Sequence, residues 1–255
     1  MPAPFKWTSE QVHDIIAAYE LGESVTSIAA RYGTSQQVIG PLLKRHGVRL
    51  RPHYESVRRH TCNYAYFHRV DTEEKAYWLG FLTADGCITT GDRVTVHLAA
   101  EDCGHLFKLK ASLGASQTVS RGRRSCSLTI CSPEMAADLA AHGLLPHKTF
   151  STRAAHIPSW LARHYWRGVL DGDGHFPEDG SSLTLVGDYD VVLGFRNFVL
   201  SFCSDVKAEI HRRDTIYAFN LRREATRLVL RVLYGDASVF LDRKYERARR
   251  ILNAW

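Results

Sequence analysis

The chain has 255 residues, of which 45% are hydrophobic and 24% are charged, as is typical of a globular protein with a sizeable core. No stretch approaches the roughly 20 apolar residues of a bilayer-spanning helix. The six cysteines form no Cys-x-x-Cys pair, so we expect reduced thiols and a cytosolic protein of a bacterial or phage-infected cell. The formal net charge of +6 suits a polyanion such as DNA or RNA, although a mildly basic protein without such a partner is an equal alternative.

The first fifty residues predict three short helices. Thr8 and Gln11 form a capping-box pattern before the first helix. A second helix is expected to end at Gly33, and a third is expected to begin near Ser35 and end at Gly47. This pattern predicts a helix-turn-helix domain at 1–50, followed by a basic linker at 51–62.

The segment VTSIAARYGTSQQVIGPLLKRHGVRLR resembles the DNA-binding domains of resolvases and many phage regulators. The resemblance implies DNA contacts from the third helix and the residues after it. The candidates are Gln36, Gln37, Lys44, Arg45, Arg49 and Arg51. Pro41 departs from the pattern, because a proline inside a helix costs about 3 kcal/mol, so the helix is expected to kink or to start later. A three-helix cap without DNA contacts is the alternative.

The rest of the chain reads as two copies of one unit, predicted at 63–157 and 158–255. Each copy has an apolar helix ending in Asp-Gly, a strand, a helix, a hairpin and an amphipathic helix. In the first copy these are expected at 76–86, 94–98, 101–113, 117–131 and 133–143. In the second they are expected at 165–174, 183–185, 188–202, 206–222 and 223–234. The matching order predicts an α+β fold of two pseudo-symmetric αββαββα-like halves.

Small residues recur at a spacing of four in both Asp-Gly helices. Gly80 and Ala84 share one helix face, as do Gly168 and Gly172, so two such helices could pack closely. Asp85 and Asp173 would then lie side by side at the negative ends of two helix dipoles. Two carboxylates and nearby carbonyl oxygens are ligands that suit Mg²⁺, with Mn²⁺ possible.

The nonapeptides WLGFLTADG (78–86) and WRGVLDGDG (166–174) resemble the two motifs of single-chain LAGLIDADG homing endonucleases. The resemblance extends over roughly 63–250, through the lead-ins NYAYFHRVDTEEKAY and HIPSWLARHY and the segment LYGDASVFLDRKYERARRI. It implies two sheets that form a saddle over DNA, and metal-dependent cleavage that leaves short 3′ overhangs. It also implies metal ligation by Asp85 and Asp173, with carbonyl oxygens from Ala84 and Gly172. Thr83 departs from the usual aspartate of the motif, whereas Asp171 keeps it.

The family also places a basic residue near each scissile phosphate. Lys148 and Lys244 occupy equivalent places after the closing helix of each half, so they are the candidates. A lysine there would polarise water or balance developing charge. An ordinary surface lysine is the alternative for each.

Polar residues that alternate with apolar ones on the strands would face the DNA groove. They are Thr95, His97, Ser127, Thr129, Lys207, His211, Asn220 and Arg222. Arginines at the hairpin tips are better placed for phosphates: Arg121, Arg123, Arg124, Arg212 and Arg213. An ordinary half-exposed polar face explains the alternation equally well.

Together with these patterns, the resemblance implies a monomeric, sequence-specific endonuclease that acts on double-stranded DNA, with no membrane partner. Two other functions remain open: an RNA intron maturase, and a non-catalytic transcription regulator with the same fold. The predicted helix-turn-helix favours duplex DNA over RNA, because A-form RNA has a narrow major groove.

Overall fold

The computed structural model describes residues 7–50, 60–145, 152–207 and 209–254. The chain divides into two compact units, Met1–Arg59 and His60–Trp255. No helix in the described ranges is long and apolar enough to cross a membrane.

The first unit contains the three predicted helices, α1 (Ser9–Glu20), α2 (Val25–Arg31) and α3 (Gln36–Arg45). The capping box is confirmed, since the Thr8 hydroxyl accepts the Gln11 amide at 3.2 Å and the Gln11 side chain accepts the Thr8 amide at 3.0 Å. Helix α3 begins at Gln36 and continues through Pro41, so the expected later start is wrong. Proline removes one amide donor, and burial of Leu42 and Leu43 directly after it offsets that loss.

The second unit contains two αββαββα halves, as predicted. The first consists of α4 (Glu73–Asp85), β1 (Gly86–Thr89), β2 (Arg93–Ala99), α5 (Cys103–Ser112), β3 (Ser120–Arg121), β4 (Ser125–Cys131) and α6 (Pro133–Ala141). The second consists of α7 (Ala162–Asp173), β5 (Gly174–His175), β6 (Ser182–Gly187), α8 (Tyr189–Leu200), β7 (Ile210–Arg213), β8 (Ile216–Arg222) and α9 (Arg223–Tyr234). A further helix, α10 (Asp242–Asn253), follows.

Each half has one four-stranded antiparallel sheet, ordered β1-β2-β4-β3 in the first half and β5-β6-β8-β7 in the second. The registers match as well: Gly86 pairs with Val96 as Gly174 pairs with Leu185. The α+β class and the internal pseudo-symmetry are therefore confirmed.

The core of the second unit lies between the motif helices α4 and α7 and the inner faces of both sheets. Thr61, in the predicted linker, also packs with this unit, because its amide donates to the Ser116 hydroxyl at 2.9 Å. Residues 51–59 of that linker and Lys148 lie outside the described residues.

Candidate functional site

Helices α4 and α7 pack with their backbones in direct contact. A Cβ atom on Gly80 would lie 1.9 Å from the Tyr165 carbonyl oxygen, and one on Gly168 would lie 2.1 Å from the Tyr77 carbonyl oxygen. No side chain larger than hydrogen fits at either place. The close approach that the small-residue spacing predicts is therefore present.

Asp85 and Asp173 are the last residues of these two helices, and both are half-buried. A Cβ atom on Gly172 would lie 2.3 Å from the Cβ of Ala84 and 3.1 Å from Oδ2 of Asp85. The Asp85 carboxylate thus lies against the end of the other motif helix. Asp173 lines a cleft with Thr83 and Ala84 of the first motif. The two motif ends form one site.

Lys244, at the start of α10, lies beneath this site and is only 4% exposed. Its ammonium donates to the carbonyls of Leu170, Asp171 and Gly174 at 2.7 Å each, and approaches that of Gly172 at 3.3 Å. Burial lowers the pKa of Lys244 to about 8, while the negative charges of Asp171, Asp85 and Asp173 act against this decrease. The structure therefore brings Lys244 together with both motif acids and with the negative end of the α7 dipole.

Asp171, two residues before the second motif acid, is fully buried and accepts three hydrogen bonds. The donors are the hydroxyl of Tyr77 at 2.7 Å, the hydroxyl of Tyr234 at 2.6 Å and the amide of Leu241 at 2.7 Å. Burial raises the pKa of Asp171, and Lys244 and these donors oppose the increase. Its carboxylate joins α4, α7, α9 and the segment before α10.

The equivalent residue of the first motif, Thr83, has a different role. Its hydroxyl donates to the Leu79 carbonyl at 2.9 Å and accepts the Tyr165 hydroxyl at 3.3 Å. Tyr77 and Tyr165, which directly precede the two motifs, thus donate to residues at equivalent positions of the opposite motif helix. Only the second motif, through Asp171, buries a carboxylate. Within the described residues, the two motif helices make equivalent backbone contacts but bury different charges.

Arg167, in the middle of α7, is also fully buried and was not among the predicted site residues. Its guanidinium donates to the Glu73 carboxylate at 2.7 Å and to the carbonyls of Val239 at 2.8 Å and Leu233 at 3.0 Å. The sequence signal was a charged residue inside an apolar motif. Its bonds attach the chain before α10 to both motif helices.

The predicted groove-facing residues lie on the sheet faces opposite the core, except Lys207. The prediction that Lys207 lies on a strand is wrong, because β7 begins only at Ile210. His97, Thr129, Lys207, His211 and Arg222 are exposed, and Ser127 and Asn220 are half-buried. Thr95 also lies on this face, but it is only 9% exposed because it sits between β1 and β4, where its hydroxyl contacts that of Thr129 at 3.0 Å.

The second sheet gathers its predicted residues in one groove. The groove is lined by Lys207, His211, Arg213, Asn220 and Arg222, together with the acids Asp205, Glu209 and Glu224. At the hairpin tips Arg121, Arg123, Arg124, Arg212 and Arg213 are all exposed. In the first unit the exposed predicted residues are Gln36, Gln37, Lys44, Arg45 and Arg49, and Arg51 lies outside the described ranges.

No cluster of three or more His, Cys, Asp or Glu side chains is placed to hold a metal ion within the described parts of the chain. A cation at the motif ends would therefore be held by two carboxylates and by backbone oxygens. Both acids lie at negative helix ends, so their surroundings favour a cation.

No family model matches this sequence. No curated protein matches it either. Among solved structures, the meganuclease I-SmaMI bound to uncleaveable DNA is 11% identical, with 69% of this chain and 87% of that chain covered and a TM-score of 0.49. The LAGLIDADG meganuclease I-AabMI bound to uncleaved DNA is 12% identical, with 70% and 88% covered and a TM-score of 0.46. Full-length DUF199/WhiA from Thermatoga maritima is 15% identical, with 75% and 64% covered and a TM-score of 0.47.

Proposed function

We propose that this chain is a metal-dependent, sequence-specific DNA endonuclease of the LAGLIDADG homing type. The observation that carries the proposal is the meeting of Asp85 and Asp173 at the ends of two helices in backbone contact. Each acid is followed at once by a strand of a sheet with a polar outer face. One chain supplies both acids, so a monomer is sufficient.

The residues present fit Mg²⁺ or Mn²⁺. Asp85 and Asp173 would hold the cation, with the backbone oxygens of Ala84 and Gly172, and all of these are hard oxygen ligands. The Gly172 oxygen also has the Lys244 ammonium at 3.3 Å, and a carbonyl oxygen has a second lone pair available. When bound, the cation would polarise the phosphodiester and lower the pKa of an attacking water.

The reaction would be hydrolysis of one phosphodiester in each strand. Water attacks phosphorus, the bond to the 3′ oxygen breaks, and a 5′ phosphate and a 3′ hydroxyl result. Lys244 holds the end of α7 through its carbonyl contacts. Its charge would balance the negative charge that develops on the phosphate. Lys148 would take the equivalent role in the first half.

The outer faces of the sheets would bind the duplex. Arginines at the hairpin tips suit phosphates, and polar side chains on the strands suit base edges. The three-helix unit at 1–50 would act as a helix-turn-helix domain that contacts further DNA, and 51–62 would lie along phosphates.

A randomised duplex library with Mg²⁺ tests the proposal. The wild type and the control Glu246→Gln, an exposed acid on α10, should cut a preferred site on both strands and leave short 3′ overhangs. Asp85→Asn, Asp173→Asn or EDTA should abolish double-strand cleavage. Double-strand activity in either aspartate variant would contradict the metal-site assignment.

A non-catalytic DNA-binding regulator is the second candidate function. The Lys244 ammonium favours it, because a resident cation already contacts the carbonyls at the end of α7. Tight, site-selective DNA binding without cleavage in Mg²⁺ or Mn²⁺ would support the regulator. Selective RNA binding in its place would support a maturase.

A further inference from the structure

The second sheet carries an asparagine that is oriented by its cross-strand neighbour. Thr184 on β6 lies directly opposite Asn220 on β8, and the Thr184 hydroxyl donates to Oδ1 of Asn220 at 2.7 Å. Both side chains are half-buried on the outer face. Threonine is stiff at χ1, so this bond restricts rotation of the amide before any ligand arrives.

The bond leaves a defined set of polar groups on Asn220. Its Oδ1 has two lone pairs, and Thr184 takes one of them. Its Nδ2 carries two hydrogens, and no described residue accepts a hydrogen bond from them. One acceptor and an adjacent donor are therefore available together on the outer face.

The surroundings of Asn220 suit a base edge between phosphates. Arg222 lies two residues further along β8 on the same face, and His211 and Arg213 lie on the neighbouring strand β7. All three line the groove that contains Asn220. The acids Asp205, Glu209 and Glu224 line it too, so charge alone does not select the ligand.

We propose that Asn220, held by Thr184, reads an adenine in the major groove of one half of the target. The inference rests on the proposed DNA-binding function. Adenine presents N7 as an acceptor beside the N6 amino group as a donor, which pairs with a carboxamide through two hydrogen bonds. Guanine presents two acceptors, N7 and O6, so its O6 would face the amide oxygen without a proton between them.

The first half of the protein provides an internal comparison. Its equivalent cross-strand pair is Thr95 and Thr129, whose hydroxyls lie 3.0 Å apart. A threonine hydroxyl carries its donor and its acceptor on a single oxygen atom, so Thr129 cannot contact N7 and N6 of adenine together as a carboxamide can. The adenine preference therefore belongs to the half-site under the second sheet.

The experiment is selection of randomised duplexes that the full-length chain binds, without divalent cation, followed by sequencing. The wild type should enrich adenine at one position by about fivefold to a hundredfold. Asn220→Ala should remove that preference alone, and Thr184→Val should weaken it severalfold. Asn197→Ala, at an exposed asparagine on α8, is the control and should leave all preferences unchanged. Thr129→Asn should create an adenine preference at the symmetric position of the other half-site.

The outcomes separate the two proposals. Absence of any sequence preference in the wild type would overturn the proposed function and this inference together. A selected site whose adenine survives in Asn220→Ala would overturn the inference alone. Loss of adenine in Asn220→Ala without any effect of Thr184→Val would overturn the orienting role of Thr184.

Discussion

Replacing Gly80 by alanine tests the helix contact on which the candidate site depends. The added methyl would lie 1.9 Å from the Tyr165 carbonyl oxygen, 2.8 Å from its carbon and 3.1 Å from the Val169 nitrogen. All three are backbone atoms, so no side-chain rotation relieves the clash. Helices α4 and α7 would have to separate by about 1 Å to restore an ordinary van der Waals distance.

The expected cost follows from this geometry. Overpacking a core typically costs about 1–3 kcal/mol, and occasionally more. Because backbone meets backbone here, we expect at least about 3 kcal/mol. For a protein of this length, each kcal/mol lowers Tm by roughly 2–4 °C. The separation also moves Asp173 relative to Asp85, so cleavage should fall together with stability.

Gly104→Ala is the matched control, since a methyl at this position in α5 meets nothing within 4 Å. Removing a helical glycine should stabilise the protein by about 0.5–1 kcal/mol. Urea unfolding of the full chain measures both variants. The reasoning would be refuted if Gly80→Ala unfolded within about 1 kcal/mol of the wild type, a cost that side-chain adjustment alone could produce.

Three further predictions concern buried groups. Asp171→Asn should lower the free energy of unfolding in urea by about 3 kcal/mol or more, since it removes the charge that faces Lys244. Thr83→Val, which removes one hydroxyl hydrogen bond, should lower it by about 1 kcal/mol. Equal costs would contradict the charge asymmetry between the two motifs. Lys244→Met should lower the cleavage rate by about a hundredfold or more, measured at saturating DNA, and an unchanged rate would exclude a role for this ammonium. Burial lowers the pKa of His105 from 6.5 to about 3. Between these two pH values the unfolded chain binds more protons at His105 than the folded chain does, so the free energy of unfolding falls as the pH drops below about 6.5. His105→Gln should flatten that slope by up to about 1.4 kcal/mol per pH unit, and an unchanged slope in urea unfolding at pH 5 and 7 would contradict the assignment.

The sequence predicts those parts of the fold that depend on local patterns. Capping residues, glycine stops and apolar periodicity located α1, α2, α3 and both motif helices. The first strand after each motif is too short to show an alternating pattern, since β1 has four residues and β5 has two. These strands form because β2 pairs with β1 and β6 pairs with β5. Helix α10 was missed because Lys244 takes one of the three buried places on its inner face, with Ala248 and Ile251.

In the candidate site, too, only the residues whose positions depend on local patterns could be predicted from the sequence. Asp85 and Asp173 could be predicted because their position depends on one helix each and on glycine spacing within it. The partners of Asp171 could not, because Tyr77, Tyr234 and Leu241 lie 94, 63 and 70 residues away along the chain. Burial of Lys244 likewise depends on how α10 meets the end of α7.

The contact between the motif ends explains why a duplicated site need not stay symmetric. A Cβ atom on residue 172 would lie only 2.3 Å from the Cβ of Ala84. The structure therefore accommodates alanine at position 84 because glycine occupies position 172. Thr83 and Asp171 differ in the same manner, since a second buried carboxylate at position 83 would need donors that Tyr165 alone does not supply. Because one chain contains both motifs, each motif can carry different residues that fit the other motif. The charge asymmetry around Lys244 accompanies this packing of α4 against α7. If the proposed function holds, the two strands of a target would meet chemically different halves of one site.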